Sequence, residues 1–199
     1  MIIRVFNRIK ERKIQKMILL KNRRKEIEKR ADDILVKNEL LKPGFDLIKF
    51  LKENEKFEIA MQNMPKETSG FILVNEKSNI LGIEAQKLIA INSMLQKETN
   101  FMQRSRFVIA HEYAHSVLHK REGIVFAHRS TAKKMSKQEQ EADYFARCLL
   151  MPERLIIPMM KDNDFKQLTP NTKISYISKV FNVTPKKAKK RLKELSCYE

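Results

Sequence analysis

The chain has 199 residues, enough to bury one sizeable core with room for an appendage. Its 42% hydrophobic and 33% charged content fits a folded globular protein and excludes a disordered one. Two cysteines, Cys148 and Cys197, exclude a disulfide framework, and no apolar run is long enough to cross a bilayer.

The net charge of +17 is unevenly placed. Residues 1–30 carry 12 Lys/Arg against 3 Asp/Glu, and residues 171–199 carry 8 against 2, leaving the middle nearly neutral. Basic ends on a neutral body suggest contact with an acidic partner or with nucleic acid, as weak, non-specific DNA binding, or else two solvated helix faces. The longest apolar run near the start, Met17-Ile18-Leu19-Leu20, is too short for a signal-peptide core. A cytoplasmic protein is the expectation.

In chain order, residues 1–22 read as a basic helical extension, with Ile2, Val5, Phe6 and Ile9 at helical spacing. Ile27, Ala31, Ile34 and Leu35 continue that period until Pro43-Gly44 breaks it. A short helix over 46–53 follows, with Asp46 as its cap. Phe57 to Met61, Phe71 to Val74, Ile80 to Ile83 and Leu88 to Ile91 read as strands, with a turn over 75–79. These form a small sheet of three or four strands placed before a buried helix that spans Phe107 to Leu118. Residues 121–136 read as a polar connection, and a helix then runs from Lys137 to Met151.

Another helix starts at Pro152, since proline is tolerated in a first turn. Thr169-Pro170 and Thr184-Pro185 each pair a capping threonine with proline, so two short helices flank a turn at Asn182-Val183. With Lys186, Lys187, Lys189, Lys190 and Arg191 nearby, the pair reads as a helix-turn-helix or as a plain hairpin capping the core.

One stretch demands a particular chemistry. His111 and His115 in His111-Glu112-Tyr113-Ala114-His115 stand one helical turn apart on one face, where both imidazoles reach one metal ion. Glu112 completes the HExxH pattern, in which the glutamate is the general base of a zinc-dependent hydrolase. His119 extends the ladder, but it lies roughly 12 Å along the axis from His111, so one ion cannot hold both. It reads as a helix-end or packing residue. A third ligand must come from Glu122, His128, Glu139, Glu141 or Asp143. Glu139 and Asp143 share a helix face, so one carboxylate can bind metal while the other orients a ligating histidine. Glu141 falls on roughly the opposite face. The sequence names no oxyanion-stabilising residue, with Tyr113 and His128 as open candidates.

The run Arg106-Phe107-Val108-Ile109-Ala110-His111-Glu112-Tyr113-Ala114-His115, then Glu139-Gln140-Glu141-Ala142-Asp143-Tyr144-Phe145-Ala146 and Leu149-Leu150-Met151-Pro152, resembles the ImmA/IrrE metallo-endopeptidases. Ser69-Gly70-Phe71, Ile91-Asn92 and Phe181-Asn182-Val183-Thr184 also resemble that family, and the likeness runs from about Ile27 to Leu195. The resemblance implies an α+β, mostly helical zincin-like domain over 23–165, with a helix-turn-helix-like tail over 166–199 packed on it. It implies Zn2+ held by His111, His115 and Glu139, with Glu112 catalytic and Asp143 in support of a ligand. Tyr113-Ala114 departs from the leucine or isoleucine and glycine common at that place in the family.

The activity implied is cleavage of a helix-turn-helix repressor, which relieves repression of a mobile element or stress regulon. The competing reading is a DNA-binding or repressor-sequestering regulator with a non-catalytic metal site.

Overall fold

A computed structural model describes residues 2–80, 83–119, 123–128 and 136–196, with side chains over 20–74, 86–119 and 136–196. The N-terminal helix α1 (Ile2–Lys37) is continuous, so the basic extension and the segment after it form one rod. Ile27, Ala31 and Leu35 recur every four residues and put one buried stripe on it. After Gly44, whose positive φ of 64° suits a residue without Cβ, α2 (Leu47–Glu53) begins. Its cap is Asp46, whose carboxylate accepts a hydrogen bond from the Lys49 amide at 2.9 Å.

Three strands follow: β1 (Glu58–Gln62), β2 (Thr68–Ile80) and β3 (Ile83–Asn92). A short 3-10 helix over Ser93–Lys97 leads to α3 (Phe101–His119), which carries the histidine pair, and β4 (Gly123–His128) comes after it. The remaining chain is helical: α4 (Lys137–Leu150), α5 (Glu153–Lys161), α6 (Asn163–Gln167), α7 (Pro170–Val180) and α8 (Pro185–Leu195). The architecture is an α+β zincin-like domain, mostly helical, around a small sheet. Among the described residues no helix is long and apolar enough to cross a membrane.

The sheet runs in the order β1-β3-β2-β4, with β1 parallel to β3 and β2 antiparallel to both its neighbours. Two expectations are corrected here. Residues 75–79 do not turn: β2 continues through them to pair Ile80 with Ile83, across a register irregularity between Val74 and Ser78. Backbone ladder bonds carry a strand through polar residues that show no alternation. Residues 123–128, read as part of a polar connection, form the fourth strand, with Phe126 opposite Phe71. Ile124-Val125-Phe126 is β-branched and aromatic, and that was the available signal.

Alternation along the strands divides the core. Ile72, Ile89 and Ile91 join the large cluster with Phe107, Ile109, Ala110 and Phe145, while Phe71, Leu73, Leu88 and Ala90 form a smaller cluster of their own. Asn92 ties the loop before β2 to the sheet, donating to the carbonyls of Thr68 at 2.7 Å and Pro65 at 3.1 Å.

Where β2 meets α3, Gly70 sets the spacing. A Cβ there would stand 2.8 Å from the Ala90 carbonyl oxygen, 2.9 Å from Val108 Cγ1 and 3.4 Å from Glu112 Oε1. Gly70→Ala is therefore expected to destabilise the fold by about 1–3 kcal/mol, as overpacked sites do. Thermal unfolding measures this, and an unchanged midpoint would mean that β2 and α3 separate without cost.

Candidate metal centre

Helix α3 is buried through its middle, and Glu112 and His115 are buried there with the apolar residues. Glu112 is 0% exposed and His115 is 4% exposed. Facing it, α4 begins at Ser136, whose hydroxyl accepts from the Glu139 amide at 3.2 Å. That cap places Glu139 in the first helical turn, where the dipole favours a carboxylate.

The two helices bring three side chains to one point. Nε2 of His111 lies 3.0 Å from Glu139 Oε2, and Nε2 of His115 lies 3.3 Å from Glu139 Oε1. The two Nε2 atoms are 3.3 Å apart. A tetrahedral ion with bonds of about 2.0–2.1 Å separates its ligand atoms by roughly 3.3 Å, so the spacing fits one small cation. Among the described residues, this is the one group of histidine, cysteine or acidic side chains able to hold a metal, and it offers three donors. Burial alone would raise the Glu139 carboxyl, but hydrogen bonds and charge from His111 and His115 hold it down at about 2.

Glu112 stands beside the three and is not one of them. Both of its carboxylate oxygens are buried without a hydrogen-bond partner among the described residues. Burial, reinforced by repulsion from Glu139, pushes its carboxyl well above the usual range. A carboxylate so placed binds a proton readily, and no described residue claims its lone pairs.

Asp143 does not join this group, which corrects its expected support of a ligating histidine. Its carboxylate takes hydrogen bonds from Arg147, Lys187 at 2.6 Å and Lys190 at 3.0 Å. Four residues beyond Glu139, it sits about 6 Å further along α4, at the level where α8 packs. Burial would raise its carboxyl, but Arg147 and Lys187 hold it far below the ordinary range.

Glu141 lies elsewhere, paired with Arg23 of α1 at 2.8 Å. Tyr113 also points away: its hydroxyl donates to Glu55 at 3.0 Å, and its ring packs edge-on against Phe50, Phe57 and Phe145. It is a core residue, not an oxyanion donor. The backbone of His128 pairs with Thr68, while its side chain and all of Glu122 lie outside the described residues.

The basic tail is committed to the core more than its composition suggests. Lys187 and Lys190 bind Asp143, and Arg191, fully buried, binds Glu28 of α1. Lys187 also lies 3.5 Å over the Phe107 ring, and burial lowers its ammonium to about 8. Lys186, Lys189 and Lys193 are exposed, and so is Lys190 despite its bond to Asp143.

No curated protein matches the chain. The family model described as Peptidase_M78, IrrE N-terminal-like domain, matches residues 55–193, a span that holds the sheet, the histidine helix, Glu139 and nearly all of the tail. Helices α1 and α2 precede it. With two histidines and a glutamate set at metal-ligand spacing beside a buried, unpartnered Glu112, the chain belongs to the IrrE N-terminal-like family of metallopeptidases.

Proposed function

We propose that the protein is a zinc-dependent endopeptidase that cleaves a helix-turn-helix transcriptional repressor in the cytoplasm, relieving repression of a mobile element or stress regulon. The observation that carries the reading is the pairing of a three-donor site with a buried, unpartnered glutamate. A structural zinc site closes with four protein ligands and has no use for such a carboxylate. Two imidazoles and one carboxylate suit Zn2+, and they leave a fourth position open.

When bound, zinc supplies Lewis acidity, making water more acidic and polarising the scissile carbonyl. The protein's own groups do the rest. His111, His115 and Glu139 fix the position at which that chemistry occurs. Glu112 takes the proton from the attacking water and hands it to the departing amine, a role open to it because no described residue holds its oxygens. Burial of α3 keeps bulk water from competing with that transfer.

The ligand assignment has its own test. Glu139→Ala is expected to weaken zinc binding by more than the roughly 10–100-fold that losing an outer-shell partner costs. His128→Ala is expected to leave it unchanged. Metal analysis after dialysis decides, and the reverse result would move the third ligand to His128.

For the substrate, the zinc-loaded protein is mixed with the repressor encoded beside it and the products are weighed by mass spectrometry. Discrete fragments that vanish in Glu112→Gln are expected. An intact repressor held in a stable complex would favour the sequestering regulator instead. The proposal includes weak, salt-sensitive contact with DNA through residues 1–30 and the lysines of α8 that stay exposed.

A further inference from the structure

His115 presents Nε2 to His111 and Glu139, so its other ring nitrogen faces the protein behind the centre. That Nδ1 lies 3.1 Å from Nδ1 of His119, one turn further along α3. His119 in turn sets its Nε2 3.5 Å from Glu141 Oε2. The same oxygen accepts from Nη2 of Arg23 at 2.8 Å. One line of polar atoms thus runs from the triad through α3 and α4 to α1. The His119 side chain is 7% exposed and that of Glu141 is 12% exposed, so water competes little for either.

The proton positions along this line follow from one requirement. An imidazole that binds metal through Nε2 keeps its hydrogen on Nδ1 and needs an acceptor for it. His119 Nδ1 accepts only if the His119 hydrogen sits on Nε2, and Nε2 is the atom that faces the Glu141 carboxylate. Glu141 Oε2 accepts from Arg23. It attracts the His119 Nε2–H electrostatically across 3.5 Å, a gap that is not a hydrogen bond, and Nε2 has no hydrogen-bond partner among the described residues. This tautomer gives the His115 N–H its acceptor and turns the His119 N–H toward the Glu141 carboxylate, whose charge favours that arrangement. With the hydrogen on Nδ1 instead, two N–H groups would collide and Nε2 would face a carboxylate with no proton to give.

We propose that His119, Glu141 and Arg23 are positioning residues that fix the tautomer and ring orientation of His115, coupling α1 to the metal centre. The inference rests on His111, His115 and Glu139 being the metal ligands. It gives α1, which lies outside the matched residues, a role in metal affinity as well as in packing. It also gives the third rung of the histidine ladder a function, although that residue cannot reach the ion.

The test titrates the full-length, metal-stripped chain with Zn2+ against a chromophoric chelator, and with Co2+ for its visible absorption. His119→Phe is expected to bind Zn2+ about 10–100-fold more weakly and to alter the Co2+ spectrum. His119→Asn, whose Oδ1 stands near the Nδ1 position and accepts a hydrogen bond, is expected to recover most of that loss. A purely structural role would not give this rescue at equal thermal stability. Arg23→Met is expected to weaken binding by a smaller factor, and by none when His119→Phe is already present. Native Zn2+ affinity and Co2+ spectrum in folded His119→Phe would overturn the relay, while His111→Ala still losing Zn2+ would leave the triad standing. Should His119→Phe not fold, native affinity in Arg23→Met overturns the relay in its place. Native affinity in His111→Ala would overturn the triad and the relay together.

Discussion

Glu112→Gln is expected to bind metal like the native chain and to lose about 10²–10⁴-fold in turnover, the usual contribution of a positioned acid or base. Glutamine has nearly the same shape and cannot take the proton. Neither Glu112 oxygen has a hydrogen-bond partner, so the substitution deserts no neighbour. Stability of the metal-free protein gives a second readout. Burial, with Glu139 adding to it, raises the Glu112 carboxyl in the folded state, so folding is penalised above the ordinary carboxylate range, where the unfolded chain ionises freely. Metal-free Glu112→Gln is therefore expected to unfold at higher temperature than the native chain at pH 7. Below about pH 4 both carry a neutral group, and the gap closes. Turnover and metal content together decide the role. Near-native cleavage with metal retained would remove Glu112 from the mechanism.

The parts of this site that were legible in the sequence are those set by one helix at a time. His111 and His115 meet because four residues make about one turn, and Asp46 and Thr169 cap their helices as their residue types suggest. Where a second element decides the outcome, the sequence is silent. Glu139 and Asp143 share a face of α4, yet one meets two histidines and the other meets Lys187 and Lys190. Face arithmetic cannot show that α8 arrives one turn later. Glu141 reads as facing away from the ligands, and it does, but what occupies that side is Arg23 and the end of α3. His119 fails as a ligand by distance, and only the folded helix shows that it touches one.

The strands follow the same rule. Phe71 to Val74 and Leu88 to Ile91 are apolar on both faces because two separate clusters bury them, so they stand out in composition. The far end of β2 and all of β4 hold together by backbone pairing with a neighbour already in place. Side-chain pattern carries little of that information, and flanking polar residues hid β4 inside a connection. In the tail, charge alone could not separate Lys187 and Arg191, which are drawn in to acidic partners, from the exposed Lys186, Lys189 and Lys193.

Arg191→Met is expected to destabilise the protein by about 3–5 kcal/mol, the cost of removing one partner from a buried ion pair. Arg191 is 0% exposed, and its guanidinium binds both oxygens of Glu28 while Nε donates to the Met151 carbonyl at 2.9 Å. Glu28 also accepts from the Tyr144 hydroxyl at 2.9 Å and the Cys148 thiol at 3.1 Å. This cluster joins α1, α4 and α8, so its loss loosens the tail and the N-terminal helix together. The sign of the pH dependence follows from Glu28. Burial would raise its carboxyl, but the charge and hydrogen bonds of Arg191 bring it below the ordinary value of 4.5. Its ionisation therefore stabilises the native chain above that value, and the contribution is lost as pH falls through the lowered one. Without Arg191, burial prevails and Glu28 prefers to be neutral, so the deficit of Arg191→Met shrinks in acid. Adding Glu28→Gln to Arg191→Met removes the stranded charge and is expected to recover part of the loss at pH 7. Urea unfolding at pH 7 and pH 4 measures all three. A loss below about 1 kcal/mol, the scale of an exposed pair, would mean that water reaches this cluster and that α8 is not anchored through it.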